Sequence, residues 1–153
     1  MEFCFGEHSL HTLLSDIYQS QLLTMPPQVE LRLELPQADT TIRTDASRLK
    51  QVVNNLINNA AKFTDKGNIT FGYRTADGAG EVELFVRDTG KGISQEHLSR
   101  IFERFYRVDK ARSKKTGGTG LGLAIVKHIA EQHEAEIQID STLGEGTTIS
   151  IIF

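Results

Sequence analysis

Asn55, Asn59 and Lys62 carry two amides and one ammonium at spacing i, i+4, i+7. At 100° per residue, a helix sets these three within about 60° of one another. An amide oxygen is a hard, neutral donor suited to Mg²⁺, and an ammonium beside it suits phosphate. Asn54 and Asn58 are polar as well, so this stretch alone reads more readily as a solvated face.

A second candidate is Asp88. It follows Val82, Leu84 and Val86 at period two, so a strand there turns the carboxylate toward the core. A buried carboxylate needs partners, and the exocyclic amine of adenine is one suitable donor. Gly90 and Gly92 follow directly and let a flat ligand approach the backbone closely. Asp88 before Thr89-Gly90 also suits a plain turn.

The third is the run Gly117-Gly118-Thr119-Gly120-Leu121-Gly122-Leu123, which opens a helical pattern. Free N–H groups at a helix start attract anions. The run is not a Walker A loop, because no G-x-x-x-x-G-K-[ST] occurs. It lacks the preceding strand and the glycine spacing of a dinucleotide fingerprint. No H-R-D or D-F-G triplet of the protein kinases is present. Residues 104–115 carry six bases against Asp109 alone, a basic loop suited to a multiply charged anion.

The elements around these residues follow from periodicity. Leu10, Leu13, Leu14 and Ile17 predict a helix over 9–23, stopped at Met25-Pro26-Pro27. Alternation predicts a strand over 28–36 and an extended piece near Ile42. Asp45 is placed to cap a helix over 46–63, whose apolar stripe is Leu49, Val52, Val53, Leu56, Ala60 and Phe63. Strands 68–75 and 81–88 form a hairpin through residues 77–80. Ser94 is expected to cap a helix over 95–104. Residues 105–120 read as irregular and mobile. A helix over 121–133 and strands over 135–140 and 147–153 complete the chain.

Composition narrows the class. The 153 residues suit one domain. Apolar residues and glycine together reach about 47%, enough for a packed core. Seventeen bases against 20 acids give a net charge of −3, with no global pull toward nucleic acid or membrane. The single cysteine, Cys4, excludes an intrachain disulfide and a Cys-rich zinc site. No uncharged apolar run reaches the roughly 18 residues of a membrane helix.

Taken together and in order, these segments resemble the catalytic ATP-binding domain of bacterial sensor histidine kinases. The N box is matched by Asn55-Leu-Ile-Asn-Asn59-Ala-Ala-Lys62-Phe63-Thr64, and the first glycine box by Asp88-Thr89-Gly90-Lys91-Gly92-Ile93. The F box is matched by residues 101–107, the second glycine box by residues 118–123, and the last by Gly144-Glu145-Gly146-Thr147-Thr148. The resemblance covers residues 9–153, with 1–8 as linker.

That resemblance implies an α+β fold, a two-layer sandwich (the Bergerat fold). A mixed, mainly antiparallel sheet of about five strands is covered on one face by about three helices. It implies that Asn59 ligands Mg²⁺, with Asn55 supporting the metal or phosphates. Lys62 would contact a phosphate, and Phe63 would flank the adenine. Asp88 would bind the adenine amine, with Gly90 and Gly92 as the pocket floor and Ile93 beside them. Tyr106, Arg107 and the residues up to Gly118 would form a lid over ATP. The run from Gly118 and Thr119 through Gly120, Leu121, Gly122 and Leu123 would face the phosphates. Thr148 would line the adenine pocket through a water.

ATP-hydrolysing members of the fold, such as type II topoisomerases and HSP90-like chaperones, place a Glu four residues before the metal-binding Asn. Here that position is Asn55, which cannot accept a proton near neutral pH. The implied activity is therefore transfer of the γ-phosphoryl group to a histidine. None of His8, His11, His97, His128 and His133 sits in a phosphoacceptor context, and His97 and His128 read as surface residues. The acceptor is expected on a separate dimerisation domain of the parent. That parent is expected to be a homodimer anchored in the inner membrane, with this domain monomeric and cytoplasmic and a response regulator downstream. A serine-directed kinase of the same fold and a degenerate nucleotide-binding scaffold are the alternative readings.

Overall fold

A computed structural model describes residues 2–75, 81–103, 106 and 122–153. Its elements run β1 (Gly6–Ser9), α1 (Leu10–Leu22), β2 (Val29–Glu34), β3 (Thr41–Thr44), α2 (Ala46–Lys62), β4 (Gly67–Thr75) and β5 (Val82–Asp88). Then follow α3 (Gln95–Leu98), α4 (Gly122–Gln132), β6 (Glu136–Thr142) and β7 (Gly146–Ile152).

The main sheet has the order β2-β4-β5-β7-β6. Only β2 and β4 are parallel, with α2 in the crossover between them; the other pairs are antiparallel. A parallel neighbour requires such a crossover, whereas β4 and β5 need only a short turn. That turn, expected at 77–80, lies outside the described residues. The α+β sandwich expected from the motifs is the fold observed.

One sheet face and three helices share the core. Leu10, Leu13, Leu14 and Ile17 of α1 are buried, as the periodicity predicts. So are Leu49, Val52, Val53, Leu56, Ile57 and Ala60 of α2, over Ile69, Phe71, Leu84, Val86, Ile149 and Ile151 of the strands. Val126, Ile129 and Ala130 of α4 close the other side. On the opposite sheet face, Phe85 is buried beneath Arg74, whose guanidinium carbon stands 4.6 Å from the ring centre.

Asp45 caps α2 as expected, accepting from the Arg48 amide at 3.0 Å. It also accepts from the Cys4 amide at 2.7 Å. Residues 6–9 pair with β3, so the expected linker boundary at 8/9 cuts through a strand packed on the domain. The alternation there is only four residues long, too short to stand out by pattern.

The helix expected over 95–104 is corrected. Only Gln95–Leu98 is helical, and the Ser94 hydroxyl makes no cap bond. Beyond it, Arg100, Glu103 and Tyr106 each donate to the carbonyl three residues back. This tighter period stacks His97, Arg100, Glu103 and Tyr106 on one side. No helix among the described residues is long and apolar enough to cross a membrane.

Candidate functional site

A cleft opens where α2 leaves the sheet, lined by Leu56, Asn59, Ala60, Phe63, Val86, Asp88, Ile93, Thr147 and Ile149. The space between these side chains, counted together with its part open to solvent, is about 260 Å³.

Period two along β5 delivers Asp88 to this cleft, as expected, and it is only 7% exposed. The Gly90 amide donates to its Oδ1 at 2.8 Å. Burial pushes the carboxyl above its ordinary range, while the Gly90 and Thr147 amides and the nearby Thr64 hydroxyl offset part of that rise. Leu56, Ala60, Val86, Ile93 and Ile149 supply aliphatic walls around it, and the carboxylate is the charged group that would orient a ring.

Asn59 lines the same cleft and Phe63 closes it beside α2. Asn55 lies one turn back, and its Nδ2 donates to the Gly122 carbonyl at 3.4 Å. It therefore braces α2 against the first turn of α4. Lys62 ends α2 at the position where a cation suits the helix dipole. Asn54 and Asn58 point elsewhere: both accept from Gln21 Nε2 of α1. The helix thus carries one amide pair for its neighbour helix and another row at the cleft. Asn59 fits a Mg²⁺ ligand by its donor chemistry, a neutral hard oxygen at the cleft edge.

Four expectations change. Thr148 does not line the cleft; Thr147 does, because adjacent residues of β7 face opposite sides of the sheet. Gly90 and Gly92 are not in that lining, and both are packed close to backbone of other segments. A Cβ at Gly90 would lie 2.1 Å from the Phe63 carbonyl oxygen, and one at Gly92 would lie 2.2 Å from that of Thr142. Tyr106 is absent from the lining: its hydroxyl meets His97 Nδ1 and its ring lies under Arg100 at 4.5 Å. His97 is accordingly a half-buried partner of Tyr106 rather than a plain surface residue. Leu123 packs against the core at the start of α4, and Gly122 contributes a carbonyl to Asn55. Arg107, Gly118, Thr119, Gly120 and Leu121 lie outside the described residues.

Ser141 was missed by pattern reading. Its hydroxyl accepts from the Ile93 amide at 2.8 Å and donates to the Gly146 carbonyl at 3.2 Å. Its proton being committed, the 2.7 Å contact with Thr147 must be donated by Thr147 Oγ1. The Thr147 oxygen keeps lone pairs that can accept from a ligand or a water. Only the pairing of Asp88 with Thr147 across the β5–β7 ladder brings this chain to the cleft.

The sequence pattern of the histidine kinase-, DNA gyrase B- and HSP90-like ATPase family matches residues 44–153. Sensor histidine kinase YkoH of Bacillus subtilis (strain 168) is 41% identical over 134 residues, 87% of this chain and 29% of that protein. WalK of the same organism is 40% identical over 129 residues, 84% of this chain and 21% of that protein. The chain thus spans less than a third of these curated relatives. Full-length ShkA in complex with AMPPNP superimposes with a TM-score of 0.85 at 28% identity, covering 99% of this chain and 31% of that one. The nucleotide-free catalytic domain of histidine kinase ThkA gives 0.80 at 26% identity, covering 100% and 95%.

Proposed function

We infer the function from one premise: this chain belongs to the histidine kinase-, DNA gyrase B- and HSP90-like ATPase family. We propose that it binds Mg·ATP with the base in the cleft and donates the γ-phosphoryl group to a histidine on another domain of its parent. The observation that carries this reading is Asp88, a buried carboxylate at the end of a slot walled by Leu56, Ala60, Val86, Ile93 and Ile149 with Asn59 and Thr147. An ionised carboxylate there accepts from the 6-amino group of adenine and repels the 6-oxo group of guanine.

Phosphoryl transfer asks mainly for positioning and charge neutralisation. The P–N bond to the acceptor histidine forms as the bridging P–O bond to ADP breaks. Asn59 would hold Mg²⁺, which when bound offsets phosphate charge. Lys62, Arg107 and the 118–123 run would meet the phosphates, while Phe63 and Ile93 flank the base. Asn55 offers no basic site for activating water, which favours transfer to protein over hydrolysis. ShkA's complex with AMPPNP supports the nucleotide, and the relatives named sensor histidine kinases support the acceptor. By the same likeness the parent is a homodimeric sensor with a response regulator as its phosphoryl recipient, and this domain lies in the cytoplasm.

Calorimetric titration with a non-hydrolysable ATP analogue, with and without Mg²⁺, tests binding. Incubation with radiolabelled ATP and a separate histidine-bearing domain of the parent tests transfer. Acid-labile, base-stable label on that domain is the expected result. Release of free phosphate without label on protein would replace the kinase reading with a hydrolase one.

A further inference from the structure

Thr64 stands behind the cleft, and its hydroxyl is among the groups that offset the rise of the Asp88 carboxyl. It is 2% exposed, and its hydroxyl is buried without a completed hydrogen bond. A buried polar group in that condition is uncommon and needs a reason. Its side chain has a definite orientation. The methyl faces Gly67, where an added Cβ would lie 3.8 Å from Cγ2. The hydroxyl faces the other way, 2.7 Å from where a Cβ on Gly90 would sit. Gly90 is the residue whose amide holds Asp88 Oδ1. The neighbouring Phe63 carbonyl accepts from the Lys91 amide at 3.0 Å, which bolts the Phe63–Thr64 turn to the loop after β5.

A carboxylate offers about four acceptor positions. At Asp88 one goes to the Gly90 amide, and the Thr147 amide also helps to offset the rise of the carboxyl. Another would go to the base. Among the described residues two hydroxyls are buried without a partner, those of Thr64 and Ser94, and it is the Thr64 hydroxyl that faces Gly90.

We propose that Thr64 is the positioning residue for Asp88: on base binding its hydroxyl donates to the carboxylate and aims the remaining acceptor position at the exocyclic amine. The proposal rests on the adenine reading above. Thr64 acts through Asp88 and does not itself touch the base. The Thr64–Asp88 pair thereby sets the discrimination between a 6-amino and a 6-oxo purine.

The test measures ADP and IDP affinities by calorimetry for the native chain, Thr64→Val and Thr64→Ser. Valine keeps the shape and removes the hydroxyl. ADP affinity should fall about tenfold in Thr64→Val, as for loss of one hydrogen bond to a charged group, while IDP affinity stays level. Thr64→Ser should restore the native ratio. In an Asp88→Asn background, Thr64→Val should have no further effect on the ratio. If valine fails to fold, Thr64→Ala serves as the second variant with the same expected ratio. An unchanged ADP-to-IDP ratio in a folded variant overturns the proposal and leaves Thr64 as packing. A native chain that binds ADP no better than IDP removes the adenine reading itself, and the proposal with it.

Discussion

Asp88 and Thr147 stand opposite each other on the antiparallel strands β5 and β7, both facing the cleft. The Thr147 amide also helps to offset the burial-driven rise of the Asp88 carboxyl. The two residues lie far apart in the chain, so the sheet register alone makes them one site.

That pairing separates two adjacent threonines. Thr147→Val removes a hydroxyl whose oxygen is free to accept at the cleft, and nucleotide affinity should drop about tenfold. Thr148→Val, on the opposite face, should leave affinity unchanged. Calorimetric titration of both variants with ADP checks the assignment; a loss in Thr148→Val alone would reverse it.

Asp88→Asn should weaken nucleotide binding by at least about tenfold while leaving the empty domain as stable or more so near neutral pH. Burial raises the folded carboxyl above 3.8, its unfolded value. Its stabilising contribution is therefore full below that value and is lost as pH rises through the raised folded value. Thermal melts without nucleotide, from mildly acidic to neutral pH, should show the native domain losing stability relative to Asp88→Asn across that window.

Asp45 has the opposite sign. Burial raises its carboxyl, but donors from Cys4, Arg48 and Ser47 and the Arg48 charge together hold it below 3.8. Its contribution is present above that value and lost as pH falls through the depressed folded value. Asp45→Ala removes the cap of α2 and should cost about 1–2 kcal/mol, read as a lower midpoint in a urea melt. Asp45→Asn should retain most of the cap.

Gly92 and Gly144 both have left-handed backbones, at φ 74° and 83°. Gly144→Ala meets nothing within 4 Å, so its cost is the conformational penalty alone, about 1–2 kcal/mol. Gly92→Ala adds contact of its Cβ with the Thr142 carbonyl and should destabilise by roughly 3 kcal/mol or more. Chemical denaturation of the two variants checks the order. Equal losses would mean that the loop after β5 moves aside freely.

Local sequence determined the elements and their inward faces. The apolar stripe of α2, its cap at Asp45 and the coreward Asp88 are consequences of local pattern within one segment. Asn59, Phe63 and Asp88 were legible for that reason. Period alone placed Asn54, Asn55, Asn58 and Asn59 on one polar helix without saying which met solvent, α1 or the cleft. Tertiary packing decided it, because Gln21 and Gly122 arrive from other elements. The same holds for Thr147 over Thr148, for the Ser141 relay and for Thr64 behind Asp88, each set by strand register or loop docking. The two glycines after Asp88 could be read from sequence as room for a ligand or as a turn. The fold shows carbonyls of Phe63 and Thr142 beside them, a contact that exists only once distant segments are packed.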